Sequence, residues 1–115
     1  MLADHPDFFQ KADRFMGQVK EGITRVFIPE GVLIECVYVL SKIYKVPRTD
    51  IVKGLIGILN YRGVINDNRS TLIKSLDLFQ EKNIDIVDAI IHTLAQEKKW
   101  TYFTFDKDLV KLDRK

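Results

Sequence analysis

The chain is predicted to be an α/β protein, with a short parallel sheet covered by helices on both faces in a three-layer α/β/α arrangement. Short runs with strand character, Arg25-Val26-Phe27-Ile28, Gly63-Val64-Ile65 and Thr101 to Phe105, alternate with longer stretches whose apolar residues recur at helical spacing. Strands so far apart in the chain pair in parallel, and the helices between them cover the sheet. With 115 residues, no repeat, no low-complexity tract and no Pro/Gly-rich linker, residues 1–115 are expected to form one domain.

The elements follow in order. Asp4-His5-Pro6 reads as an N-cap and first-turn proline opening a helix with Phe8, Phe9, Ala12, Phe15, Met16 and Val19 on one face, and Gly22 ends it. Pro29 stops the strand at 25–28. From Glu30 to about Tyr44 the chain is helical and apolar nearly all round, which predicts a buried helix. Pro47-Arg48-Thr49-Asp50 caps a third helix carrying Ile51, Val52, Leu55, Ile56 and Leu59. After the marginal strand 63–65, Asn66-Asp67-Asn68 turns into a helix with Leu72, Ile73, Leu76 and Phe79, which Asn83 breaks. A last long helix runs from about Ile84 to Lys98, then a strand from Thr101 to Phe105.

Composition narrows the class. The chain is 46% hydrophobic and 30% charged, with a net charge of +2. Cys36, the one cysteine, lies in an apolar run and reads as a core residue, so the fold does not depend on oxidation. No stretch approaches the roughly 18 apolar residues that span a bilayer, and Met1-Leu2-Ala3-Asp4 turns polar too early for a signal peptide. The expected compartment is the cytoplasm. Residues 42–74 hold seven cations against Asp50 and Asp67. Such a segment suits phosphate contacts, although a solvated helical face is the more ordinary reading.

Three carboxylates stand where apolar side chains would be usual. Glu35 is the only charge in Val32 to Leu40, Asp88 is embedded in Ile84 to Ile91, and Asp106 closes Tyr102-Phe103-Thr104-Phe105. Unpaired buried carboxylates are costly, and clustered ones repel. A bound divalent cation resolves both problems. Mg²⁺ or Mn²⁺ suits all-oxygen ligands and acidifies a bound water enough to make a nucleophile. Each acid alone also has a structural reading: Asp106 or Asp108 as the N-cap of a terminal turn, Asp88 paired with a lysine, Glu35 with an arginine. His92 reads as a surface or supporting residue. No Gly-rich phosphate loop, nucleophile elbow or Cys/His metal spacing is present.

Three segments together resemble the PIN domain family, and within it the VapC-type toxins of toxin–antitoxin pairs. They are Phe27-Ile28-Pro29 leading into Val32 to Leu40, Ile86-Val87-Asp88-Ala89-Ile90-Ile91, and Thr104-Phe105-Asp106-Lys107-Asp108-Leu109. The resemblance spans essentially the whole chain. It implies a metal-dependent endoribonuclease that hydrolyses phosphodiester bonds of single-stranded or structured RNA, such as tRNA or rRNA. By the same resemblance Glu35, Asp88 and Asp106 are three ligands of Mg²⁺ or Mn²⁺, Thr104 is a supporting hydroxyl, and Asp108 is an auxiliary acid. Lys42, Lys45, Arg48 and Arg62 are the expected phosphate contacts. An antitoxin peptide of the VapB kind and a second copy of the chain are the partners it implies.

One departure matters. The family's first acid ends an N-terminal, central strand in an Asp-Thr-Asn-like motif, and Met1 falls after that point, about a dozen residues on. The expectation is an N-terminally incomplete PIN-like domain whose activity requires that acid from the full gene product. The alternative is an inactive remnant that binds an antitoxin or pairs with a homologue.

Overall fold

A computed structural model describes the backbone of residues 6–99 and the side chains of residues 10–99. Five helices occupy most of that span. Helix α1 (Pro6–Glu21) ends at Gly22, whose φ of 85° is a left-handed conformation that suits glycine. Helix α2 (Glu30–Tyr38) starts behind Pro29, which is fixed in an extended conformation, and runs without a break into a π-helical segment, Val39–Ile43. The wider turn is visible in the Tyr44 N–H, which donates to the Val39 carbonyl at 3.2 Å, five residues back. Helix α3 (Arg48–Leu59) follows Pro47. Helix α4 (Arg69–Lys82) closes at Asn83 with φ 54°, and α5 (Ile86–Lys98) closes at Lys99 with φ 58°. Gly22, Pro29 and Asn83 thus punctuate the chain as the sequence predicts.

The core is made by one face of each of α2 to α5. Leu33 and Val37 of α2 meet Ile51, Val52, Leu55 and Leu59 of α3, Leu72, Leu76 and Phe79 of α4, and Ile86, Ala89 and Ile90 of α5. Helices α4 and α5 pack most extensively. Arg48 ties α3 to α4 and to the turn that follows it. From the first position of α3 its Nη1 donates to the carbonyls of Phe79, at 2.8 Å, and Ile84, at 2.7 Å, and its guanidinium carbon lies 4.0 Å from the centroid of the Phe79 ring. Burial lowers the Arg48 pKa from its usual value, with Asp85 acting in the opposite direction. Arg48→Ala removes two charge-assisted hydrogen bonds and a cation–π contact, and is expected to destabilise the fold by about 2–4 kcal/mol. Denaturant unfolding checks this, with Arg48→Lys recovering little because an ammonium lacks the planar fork.

The expected sheet is not formed. Among the described residues there is no strand, and the runs 25–28 and 63–65 meet in a single parallel bridge, Val26 with Val64. The Val26 N–H donates to the Gly63 carbonyl at 2.7 Å and the Ile65 N–H to the Val26 carbonyl at 2.9 Å. Side chains then replace the backbone partners that a longer ladder would use. The Asn66 amide accepts from the Ile28 N–H and donates to the Ile28 carbonyl, both at 2.8 Å, acting as a surrogate peptide group. The Arg69 guanidinium donates to the Val64 carbonyl. With Pro29 following at once, pairing stops after one bridge. The third expected strand, Thr101 to Phe105, lies outside the described residues.

Two further expectations are corrected. The helix beginning at Glu30 is not buried all round, since Val32 is 48% exposed and Ile43 and Tyr44 are also open to solvent. In α1, Val19 is fully buried whereas Phe15 is 46% exposed.

Candidate functional site

The two described acids of the expected site lie on α2 and α5. Glu35 is exposed, contrary to the packed environment its neighbours suggest. The reason is rotational. The core stripe of α2 is Leu33 and Val37, each two residues from Glu35 and therefore about 160° around the helix from it. Glu35 instead borders a groove of about 510 Å³ whose lining includes Val32, Cys36, Val39, Leu55 and Ile58. Cys36 is partly buried there, and burial, with the Glu35 charge beside it, raises its thiol pKa.

Asp88 sits in the first turn of α5 and is half-buried. A carboxylate there is favoured by the helix dipole. The N-cap of the same helix is Asp85, whose Oδ1 accepts from the Val87 N–H at 2.9 Å. That carboxylate has a second donor from another helix. The Tyr38 hydroxyl, one turn beyond Glu35 on α2, donates to Asp85 Oδ1 at 2.9 Å and lies 3.2 Å from Oδ2. Burial, then this bond and the charges of Asp85 and Asp88, raises the Tyr38 pKa, so the hydroxyl remains a donor at neutral pH. Asp85 and Tyr38 are not singled out by the sequence alone. An Asp one turn before another Asp at the start of an apolar helical run is the available signal for the cap.

The remaining expected residues divide. Asp106, Thr104 and Asp108 lie outside the described residues. Lys42, in the π-helical segment, Lys45, just beyond it with φ 57°, and Arg62 are exposed. The Arg48 guanidinium turns inward to the carbonyls described above. His92 is buried, not a surface residue, and borders a cleft of about 470 Å³ between α4 and α5. Across that cleft Glu97 accepts from the Thr71 hydroxyl at 2.6 Å and from Lys74 Nζ at 3.1 Å, and these bonds hold its carboxyl below the usual range.

Among the described residues no three His, Cys, Asp or Glu side chains gather as a metal-binding group. Glu35 and Asp88 are nevertheless hard oxygen donors on helices joined by the Tyr38–Asp85 bond, a chemistry that fits a hard divalent ion. No described helix is long and apolar enough to cross a membrane.

Comparison with known proteins adds the deciding observation: the family model of the PIN domain matches residues 2–115. The chain belongs to the PIN domain family. No curated protein and no solved structure matches it. PIN domains are a nuclease-type family whose members generally depend on a divalent metal. In this PIN domain the pairing expected between the runs 25–28 and 63–65 is reduced to one bridge, while Asp88 stands one turn into a long helix.

Proposed function

We propose that this PIN domain is a Mg²⁺- or Mn²⁺-dependent endoribonuclease of the VapC kind, acting on RNA such as tRNA or rRNA in the cytoplasm. The observation that carries the reading is Asp88, placed in the half-buried first turn of α5 within a chain matched along 2–115 by the PIN family. Glu35, Asp88 and Asp106 would hold the metal, with Thr104 and Asp108 in support. When bound, the ion would supply positive charge to the phosphodiester and lower the pKa of a water so that hydroxide is available as the nucleophile at neutral pH. The chain supplies the rest. The carboxylates offset the charge of the ion and fix its location, while Lys42, Lys45 and Arg62 are exposed cations suited to RNA phosphates. Arg48 serves chiefly the fold.

Metal dependence tests this directly. The intact gene product is expected to cleave single-stranded RNA in millimolar Mg²⁺ or Mn²⁺, to stop in excess EDTA, and to recover when metal is restored. Cleavage that persists undiminished in EDTA would overturn the assignment.

A second reading is favoured by one feature, the groove beside Glu35, which is lined largely by apolar side chains and adjoins exposed Val32, Ile43 and Tyr44. On that reading the chain is a catalytically inactive interaction module that grips an antitoxin peptide of the VapB kind or a second copy of itself. It predicts partner binding unaffected by EDTA and no RNA cleavage at any metal concentration.

A further inference from the structure

We propose that Tyr38 and Asp85 are positioning residues that fix the first turn of α5, which carries Asp88, against α2, an inference that rests on the nuclease reading. The Asp85 carboxylate does two things at once. Through Oδ1 it caps α5 by accepting from the Val87 N–H, and it receives the Tyr38 hydroxyl from α2 at 2.9 Å. Glu35 lies one turn before Tyr38 on α2, and Asp88 lies one turn into α5 from the cap. The bond therefore joins the two acid-bearing helices within about one helical turn, or about 5.4 Å of rise, of each acid.

Packing does not account for this bond. Tyr38 and Asp85 are both exposed, and neither belongs to the buried core. What the bond does is remove a choice. A capping aspartate at the surface is free to rotate toward water, and each such excursion leaves the first-turn N–H groups unsatisfied and lets the turn fray. Asp88 is in that turn. The Tyr38 hydroxyl, kept protonated by its surroundings, holds Asp85 on the cap, and α5 is thereby held in register with α2. A metal ligand in that turn needs a fixed helix start beneath it, because metal affinity falls when what holds a ligand in place is removed.

The test uses the full gene product and Mn²⁺ as the probe, with Mn²⁺ affinity followed by the loss of the free-ion electron paramagnetic resonance signal. Hydrogen exchange at the amides of Val87, Asp88 and Ala89 is followed in parallel without metal. Tyr38→Phe is expected to weaken Mn²⁺ binding by about tenfold, and to speed exchange in the first turn of α5 while the thermal midpoint changes little. Asp85→Asn retains an oxygen that accepts from both Val87 and Tyr38, so it is expected to stay near wild type, whereas Asp85→Ala is expected to lose Mn²⁺ affinity at least as far as Tyr38→Phe and, because it also removes the cap, to lower the thermal midpoint as well. Wild-type affinity in Tyr38→Phe overturns the inference, as does an Asp85→Asn loss equal to that of Asp85→Ala, which would make residue 85 a charge rather than a support. Asp88→Asn separates the two levels. If it binds Mn²⁺ as the wild type does, or the wild type binds none, the nuclease reading falls and the inference with it. If Asp88→Asn alone loses binding, only the inference falls.

Discussion

Gly63→Ala is expected to destabilise the fold by about 3 kcal/mol or more. A Cβ at residue 63 would lie 2.0 Å from the Thr24 carbonyl oxygen, 2.7 Å from the Val19 carbonyl oxygen and 3.1 Å from the Val19 Cα. All three are backbone atoms, so no side chain can swing aside to make room. The glycine is held there by hydrogen bonds on both sides: its N–H donates to the Val19 carbonyl at 2.7 Å, and its carbonyl accepts from the Val26 N–H at 2.7 Å. Relief of the clash would pull the end of α1 and the 24–26 segment away together, breaking the one bridge between Val26 and Val64. Gly57, inside α3, gives the internal contrast. A Cβ at residue 57 would meet nothing within 4 Å, so Gly57→Ala is expected to raise stability by about 0.5–1 kcal/mol through helix propensity. Urea unfolding of the two variants beside the wild type checks both signs. An unchanged midpoint for Gly63→Ala would mean that residues 19–26 do not dock on this segment.

Asp88→Asn is expected to lower metal-dependent RNA cleavage by about two orders of magnitude or more while leaving the helical fold in place. The exchange is nearly isosteric, and what it removes is charge. In the first turn of α5 that charge is worth only about 0.3–1 kcal/mol to the helix through the dipole, a loss the core of α2 to α5 absorbs. On the proposed nuclease reading the same charge is a metal ligand, and a neutral amide neither offsets a divalent ion nor holds it as tightly. Two measurements are paired: single-turnover cleavage of RNA, and the thermal shift on adding Mn²⁺, which reports binding to the folded state alone. Loss of both, with the metal-free midpoint lowered by no more than a few degrees, is the expected result. Cleavage at the wild-type rate would remove Asp88 from the reaction.

The helices are legible in the sequence because their signals are local. Proline before α2 and α3, Gly22 and Asn83 at left-handed closures, and apolar spacing in α4 and α5 all act within a few residues of chain. The sheet is misread for the complementary reason. Runs 25–28 and 63–65 have strand composition, but a strand exists only through partners distant in sequence, and here the Asn66 amide and the Arg69 guanidinium take the places of the next backbone partners. Neither substitution is visible in hydrophobic pattern. Glu35 is misplaced because α2 is apolar nearly all round, so periodicity does not say which side meets the core. Arg48 looks like one more surface cation, and only folding brings the Phe79 and Ile84 carbonyls to it.

The family, the order of the helices and the position of Asp88 at a helix start are thus written in contiguous residues and need no tertiary contact to be read. That two strand-like runs share a single bridge, that Glu35 faces away from the core, and that Tyr38 reaches the cap of α5 emerge only on folding. Those outcomes depend on which groups meet across 38 residues, between Ile28 and Asn66, or 47, between Tyr38 and Asp85. Contacts of that range are set by how the buried faces of α2 to α5 pack, and local propensity carries no record of them.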